Sequence, residues 1–206
     1  MSEKRECGHN YGECERRRIY RRIIACILFL ITLVLLIILI VWLVLRPTKP
    51  RFYLQDASLV QLNLTANAAI LTTFLQVTIS SRNPNDRIGI YYNRLVAYAR
   101  YNSQQITSST VLPPVYLAPH EQVIWSPFLF GGAVPLDSNL AAALYQDQKA
   151  GFVLISVRVG GRLRWKVGTW ISGRYHLHVN CPALLVRKAG SYDFRFQQST
   201  RCSVDV

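Results

Sequence analysis

Acidic residues are scarce in this 206-residue chain: 11 Asp and Glu stand against 24 Lys and Arg, for a formal net charge of +13. Beyond residue 45 the carboxylates are Asp56, Asp86, Glu121, Asp137, Asp147, Asp193 and Asp205, too scattered for an acid and base pair to be picked out. A Gly-x-Ser-x-Gly elbow, a phosphate-binding glycine loop, a His-Glu-x-x-His pair and an Asp-x-Asp nucleotide-sugar motif are all missing. Internal repeats and low-complexity stretches are missing too. The C-terminal residues 201–206 carry no apolar tail, so no lipid-anchor signal is expected. These absences predict a protein that is not an enzyme and holds no cofactor or resident metal.

What the chain has is one long apolar run. Ile23 to Leu45 is 23 residues without charge, Gly or Pro, and its single hydroxyl is Thr32. As a helix it rises roughly 34 Å, enough to cross the hydrocarbon of a bilayer with some tilt. Arg16, Arg17, Arg18, Arg21 and Arg22 precede it, with Lys4 and Arg5 further out, while only Arg46, Lys49 and Arg51 follow closely. This basic excess predicts a cytoplasmic N-terminus. A cleavable signal peptide has an apolar region of about 7–15 residues before a small-residue cleavage site. Here the run is longer and ends in Leu45-Arg46-Pro47-Thr48-Lys49-Pro50. The expected type II layout is a cytoplasmic basic tail at 1–22, a signal-anchor helix at 23–45, a Pro-containing basic spacer at 46–52 and one ectodomain at 53–206.

That orientation sorts the remaining groups by compartment. Residues 46–206 hold 17 Lys and Arg against seven acidic residues, net +10, and a basic domain outside the cell is drawn to acidic polysaccharide or lipid headgroups. The same topology excludes nucleic acid as a partner. Cys7, His9 and Cys14 fall on the reducing side and lack a standard zinc spacing. Cys26, just inside the apolar run, is either a buried thiol or an acylation site. Cys181 and Cys202 form the one exoplasmic pair and are expected to be bridged, a loop of about 20 residues being worth roughly 3 kcal/mol in the chain-entropy model. One N-glycosylation acceptor, Asn63-Leu64-Thr65, also lies outside. In a strand over 59–64, Val60, Leu62 and Leu64 share one face and Asn63 points outward.

Period-2 alternation dominates the ectodomain. Leu71, Thr73, Leu75, Val77 and Ile79 alternate with Thr72, Phe74, Gln76, Thr78 and Ser80, a half-buried strand in which Phe74 is the misfit. Val153 to Val167 reads as a hairpin turning at Gly160-Gly161. Its outward face carries Arg158, Arg162, Arg164 and Lys166, a basic ladder able to contact an anionic polymer or headgroups, and also explicable as a solvated sheet face. Further strands are expected at 53–64, 88–101, 122–130, 173–180 and near 192–196. Leu136, Leu140 and Leu144 recur every fourth residue before Gly151, predicting a short helix over about 136–148. His176 and His178 would share one strand face, but a metal there needs a third ligand such as His120, and solvated or core histidines account for the pair without one. Many short strands with one short helix predict a mainly β protein, an antiparallel sandwich.

Asn83-Pro84-Asn85-Asp86 is a run of turn formers between a strand ending near Arg82 and one beginning at Ile88. With Ile88-Gly89-Ile90-Tyr91-Tyr92 it resembles the most distinctive stretch of the plant harpin-induced and non-race-specific disease-resistance-like proteins, whose outer domain is a late-embryogenesis-abundant group 2 domain. The basic tail, single span, Pro-rich exit and a Cys near each end of the last 26 residues are similar to that family's layout. The resemblance implies a fibronectin-III-like sandwich at the plasma membrane and involvement in plant defence of the hypersensitive type and in stress responses; it does not imply an enzyme. The alternative it leaves is a desiccation protectant that shields membranes or proteins without a specific ligand.

Overall fold

The computed structural model describes residues 11–44, 47–65, 69–187 and 194–206, without the side chains of 11–15, 18 and 41–44. Two compact units result, Met1–Arg46 and Pro47–Val206. In the first, α1 (Tyr11–Val44) begins well before the apolar run, so the tail arginines ride on the same helix. Its segment Ile19–Ile40 is long and apolar enough to cross a membrane and is not buried against protein. Thr32 Oγ1 donates to the Phe29 carbonyl at 2.8 Å, so the single hydroxyl of the apolar run is satisfied by its own helix.

The second unit is built of antiparallel strands: β1 (Arg51–Thr65), β2 (Ile70–Arg82), β3 (Ile88–Tyr101), β4 (Gln104–Gln105), β5 (Thr110–Leu112), β6 (Val115–Leu117), β7 (Gln122–Trp125) and β8 (Phe128–Pro135). After α2 (Ser138–Ala150) come β9 (Phe152–Val167), β10 (Trp170–Ile171), β11 (Tyr175–Arg187), β12 (Phe194–Phe196), β13 (Thr200–Arg201) and β14 (Ser203–Asp205). Hydrogen bonds run in the order β4-β3-β9-β11-β12-β1-β2-β7, with β8 continuing beside β2 and β5 and β6 beside β3. This ribbon folds onto itself at the three-residue β12. Residues far apart in strand order therefore meet: Tyr92 of β3 packs edge-on against Phe52 of β1 and Trp125 of β7 at centroid distances of 6.0 and 5.7 Å. The outcome is a sandwich of β4-β3-β9-β11 against β1-β2-β7-β8, with alternate residues of both layers in a shared core.

Tyr92 anchors that core, its hydroxyl 2.8 Å from Ser81 Oγ. Burial pushes the Tyr92 phenol above its ordinary range, against a smaller opposite pull from the Ser81 hydrogen bond. The folded state thus holds this proton more tightly than the unfolded chain, whose tyrosines ionise near pH 10, about the model-peptide value. The associated stability is present below that pH and is lost as pH rises above it. Tyr92→Phe should lower stability at neutral pH by about 1 kcal/mol through the lost bond, and should flatten the alkaline decline expected of wild type when denaturation is followed across pH.

α2 has the caps its sequence offers: the Asp137 side chain accepts from Asn139 N–H, and Gly151 ends it in the left-handed region at φ 83°. Leu144 and Ala141 face the core, and Tyr101 of β3 donates to Asp147 at 2.7 Å. Cys181 of β11 is bonded to Cys202, whose N–H donates to Phe52 O of β1 at 2.9 Å. The bridge therefore staples one layer to the chain end that runs beside the other.

Three expectations are corrected. Residues 153–167 are not a hairpin: β9 runs unbroken through Gly160-Gly161, paired with β3 on one side and β11 on the other. The expected strand 122–130 is two, β7 and β8, interrupted before Pro127, which has no N–H to give a ladder. Val60 does not share the inward face of Leu62 and Leu64; a register shift between Leu59 and Gln61 leaves it outside.

Candidate functional site

The outer face of β3-β9-β11 gathers the basic residues. On β9 the odd positions from Val153 to Trp165 enter the core, except that Gly161 lies half-buried in the same row, so the even positions Arg158, Arg162, Arg164 and Lys166 point outward along one strand. Register extends the ladder sideways into rows: Arg94–Arg162–His176, Tyr91–Arg164, and Tyr98–Arg158–Asn180. Arg94 faces Arg162 directly, and like charges opposed across strands are destabilising. A cavity of about 520 Å³ opens between them, floored by Gly160 and walled by Arg94, Arg162, Arg174, His176 and His178. One carboxylate, Asp205 of β14, stands opposite His178, and it pairs with Lys49 at 3.5 Å. Among the described residues, Arg158 Nε and Arg164 Nε are buried atoms without a hydrogen-bond partner.

At the end of the ladder nearest Gly89, aromatic rings interleave with charge. Tyr91 and Tyr116 meet with centroids 4.4 Å apart, and Lys166 Nζ lies 5.1 Å from the Tyr116 ring centre and 5.9 Å from that of Tyr91. Tyr116 can lie across β3 because position 89 is glycine: a Cβ there would sit 2.4 Å from the Tyr116 hydroxyl oxygen. The Ile-Gly-Ile-Tyr-Tyr stretch thus splits its work, with Ile88, Ile90 and Tyr92 in the core and Gly89 and Tyr91 supporting the outer cluster.

The preceding turn does more than reverse the chain. Asn83 is fully buried; its Nδ2 donates to Ile88 O and Ala118 O at 2.8 and 3.1 Å, and its Oδ1 accepts from Asn85 N–H and Asn85 Nδ2 at 3.1 and 2.9 Å. Asn85 in turn accepts from Thr48 N–H at 2.7 Å and donates to Thr48 O at 2.9 Å. One amide side chain thereby grips both backbone groups of Thr48 in the segment read as a spacer, and β1 begins at Arg51. Composition signals a turn here, but the grip on a residue 37 positions earlier has no local signature.

Asn63 is exposed on β1, opposite Thr72 of β2 in the other layer. His120 sits in a loop with Nε2 2.9 Å from Asp86, while His176 and His178 are on β11. Among the described residues no group of three or more His, Cys, Asp or Glu is placed to hold a metal. Cys26 is exposed and unbridged on α1. Cys7, His9 and Asp193, and the side chain of Cys14, lie outside the described residues.

Residues 78–182, which run from β2 through the Asn83–Tyr92 motif and the basic ladder to Pro182, match the late embryogenesis abundant protein family. NDR1/HIN1-like protein 1 of Arabidopsis thaliana is 45% identical over 205 residues, covering 96% of this chain and 98% of that protein. NDR1/HIN1-like protein 12 of the same plant is 46% identical over 209 aligned residues, with 98% and 99% covered. NDR1/HIN1-like protein 26 is 39% identical over 168 residues, with 80% and 79% covered.

Proposed function

The chain belongs to the late embryogenesis abundant protein family, close to its NDR1/HIN1-like members, and from that membership we propose a non-catalytic, single-pass plasma-membrane protein whose exoplasmic sandwich binds an acidic partner in plant defence and stress responses. Its relatives support the defence- or stress-related role. The apolar helix Ile19–Ile40 supports an anchor, and the arginines before it support a cytoplasmic N-terminus.

The binding reading rests on one observation, the opposed cations of the β3-β9-β11 face. Arg94 and Arg162 face each other, with Arg158, Arg164 and Lys166 in line. A structural sheet face gains nothing from such repulsion. A linear polyanion laid along β9 relieves it, and its charges can meet Arg162, Arg164 and Lys166 at intervals of about 6.7 Å, two residues of a strand, with Arg158 one step further beyond Gly160. Acidic wall polysaccharide has that chemistry. Tyr91 and Tyr116 beside Lys166 add ring faces suited to sugar C–H groups.

In sealed vesicles with their cytoplasmic face outward, added protease should remove the N-terminal tail and leave the sandwich intact. The full chain in detergent should be retained on de-esterified pectin at low ionic strength. It should be released as salt rises from about 0.1 to 1 M, where the screening length falls from about 10 to 3 Å. Salt-insensitive retention removes the polyanion reading. No retention, together with protection of an unrelated enzyme during drying, moves the assignment to a protectant without a specific ligand.

A further inference from the structure

On the layer opposite the basic face, the outer surface is aromatic. We propose that a glycan carried by Asn63 lies over a platform formed by Phe74, Phe128 and Phe130, its first sugars packing on these rings; this rests on the exoplasmic reading above. Phe74 stacks on Phe128 with centroids 5.4 Å apart and planes 11° from parallel, and meets Phe130 edge-on at 6.5 Å. Phe128 and Phe130 remain 53% and 52% exposed, and outward Ile124 and Val60 are 54% and 56% exposed. Apolar surface left this open on a folded domain marks something that covers it.

The occupant is indicated by what stands on the same face. Gln61 pairs with Phe74 and Asn63 with Thr72, so Asn63 is the diagonal neighbour of Phe74, and such neighbours lie about 7–8 Å apart. Phe130 of β8 pairs directly with Phe74, and Phe128 faces Gln76. A pyranose presents polar hydroxyls at its rim and C–H groups on its faces. Gln61 and Thr72 can meet the first, and the electron-rich ring faces the second. In the transfer, a C–N bond forms between the anomeric carbon of the sugar and Asn63 Nδ2. The bond from that carbon to the pyrophosphate of a lipid-linked oligosaccharide donor breaks, and the amide proton leaves with the lipid pyrophosphate. Asn63 and Thr65 are both exposed on β1 and open to that reaction.

Hydroxyl-radical footprinting of the full chain made in a eukaryotic secretory membrane tests this. Wild type is compared with the same chain after enzymatic glycan removal and with Thr65→Ala, which abolishes the acceptor pattern but keeps Asn63. Oxidation of Phe74, Phe128 and Phe130 is expected to be severalfold lower in the glycosylated chain than in the other two. Leu154 and Leu184, exposed on the opposite layer, should be oxidised equally in all three. A bare Asn63 in wild type overturns the inference, and the exoplasmic reading then stands or falls on the protease test above. A glycan present with equal phenylalanine oxidation overturns the inference alone. Protection in all three forms, from a second copy or another partner, overturns it as well.

Discussion

Gly161→Val will destabilise the ectodomain by about 3–5 kcal/mol, whereas Gly160→Val at the adjacent position will change stability by less than about 0.5 kcal/mol. The two glycines differ in what a side chain would meet. At Gly161 a Cβ would sit 2.1 Å from Arg94 O and 2.9 Å from Leu95 Cα, both backbone atoms of β3 that can move only if the β3-β9 ladder opens. This is where Asn93 is an extra residue in β3, between the pairs at Tyr92 and Arg94, and the bulge brings that backbone inward. At Gly160 nothing lies within 4 Å, because the position looks into the basic cavity. Valine is a good strand former at either site. Thermal unfolding of the two variants reads the contrast directly: a drop of roughly 10 °C for Gly161→Val, by the scaling for a domain of this size, and almost none for Gly160→Val. Equal damage at both positions would mean that the pair serves as a turn after all.

The second large effect is expected at Asn83. Asn83→Leu keeps the volume but removes two donated and two accepted hydrogen bonds, leaving Ile88 O, Ala118 O and the Asn85 amide groups short of partners in a buried site. Unsatisfied buried groups cost about 1–3 kcal/mol each, and partial relaxation brings the sum to roughly 3–5 kcal/mol. Asn85→Ala should cost less, about 1–2 kcal/mol, because it frees mainly the partly exposed Thr48. Its signature is local: the Thr48 amide, now protected by Asn85 Oδ1, should exchange with solvent far faster while the core amides keep their protection. Unchanged exchange at Thr48 would remove the clamp from the motif's role.

These two sites also mark what a sequence can and cannot convey. β3 was legible to the residue at 88–101, since its alternation is long and a turn of Asn, Pro and Asp precedes it. The helix was placed within two residues by Leu136, Leu140, Leu144 and Gly151, because cap and periodicity are both local. Gly160-Gly161 misled because two glycines give the same local signal for a tight turn and for a close backbone approach. The deciding feature, the bulge at Asn93, is remote in the chain. The outward basic set is the same either way, since alternation carries the same even positions outward in a hairpin arm or in one strand. The sideways partners Arg94, Arg174, His176 and His178 were not legible as one site, because only register brings them together. Phe74, the misfit in an otherwise regular alternation, was a visible sign of the aromatic face, but Phe128 and Phe130 lay unrecognised in what read as a single strand.

The most direct test of the binding role is retention on de-esterified pectin across a salt series, comparing wild type with the combined Arg158→Gln, Arg162→Gln, Arg164→Gln and Lys166→Gln chain. Thermal midpoints are measured alongside to show that both are folded. The expected result is salt-sensitive retention of wild type and its loss in the neutralised chain at a midpoint no lower than that of wild type, since Arg162→Gln also relieves the repulsion with Arg94, with about 1 kcal/mol of binding forfeited per removed cation, as at other anionic surfaces. Equal retention with equal salt dependence in the two folded chains would contradict a binding role for this face.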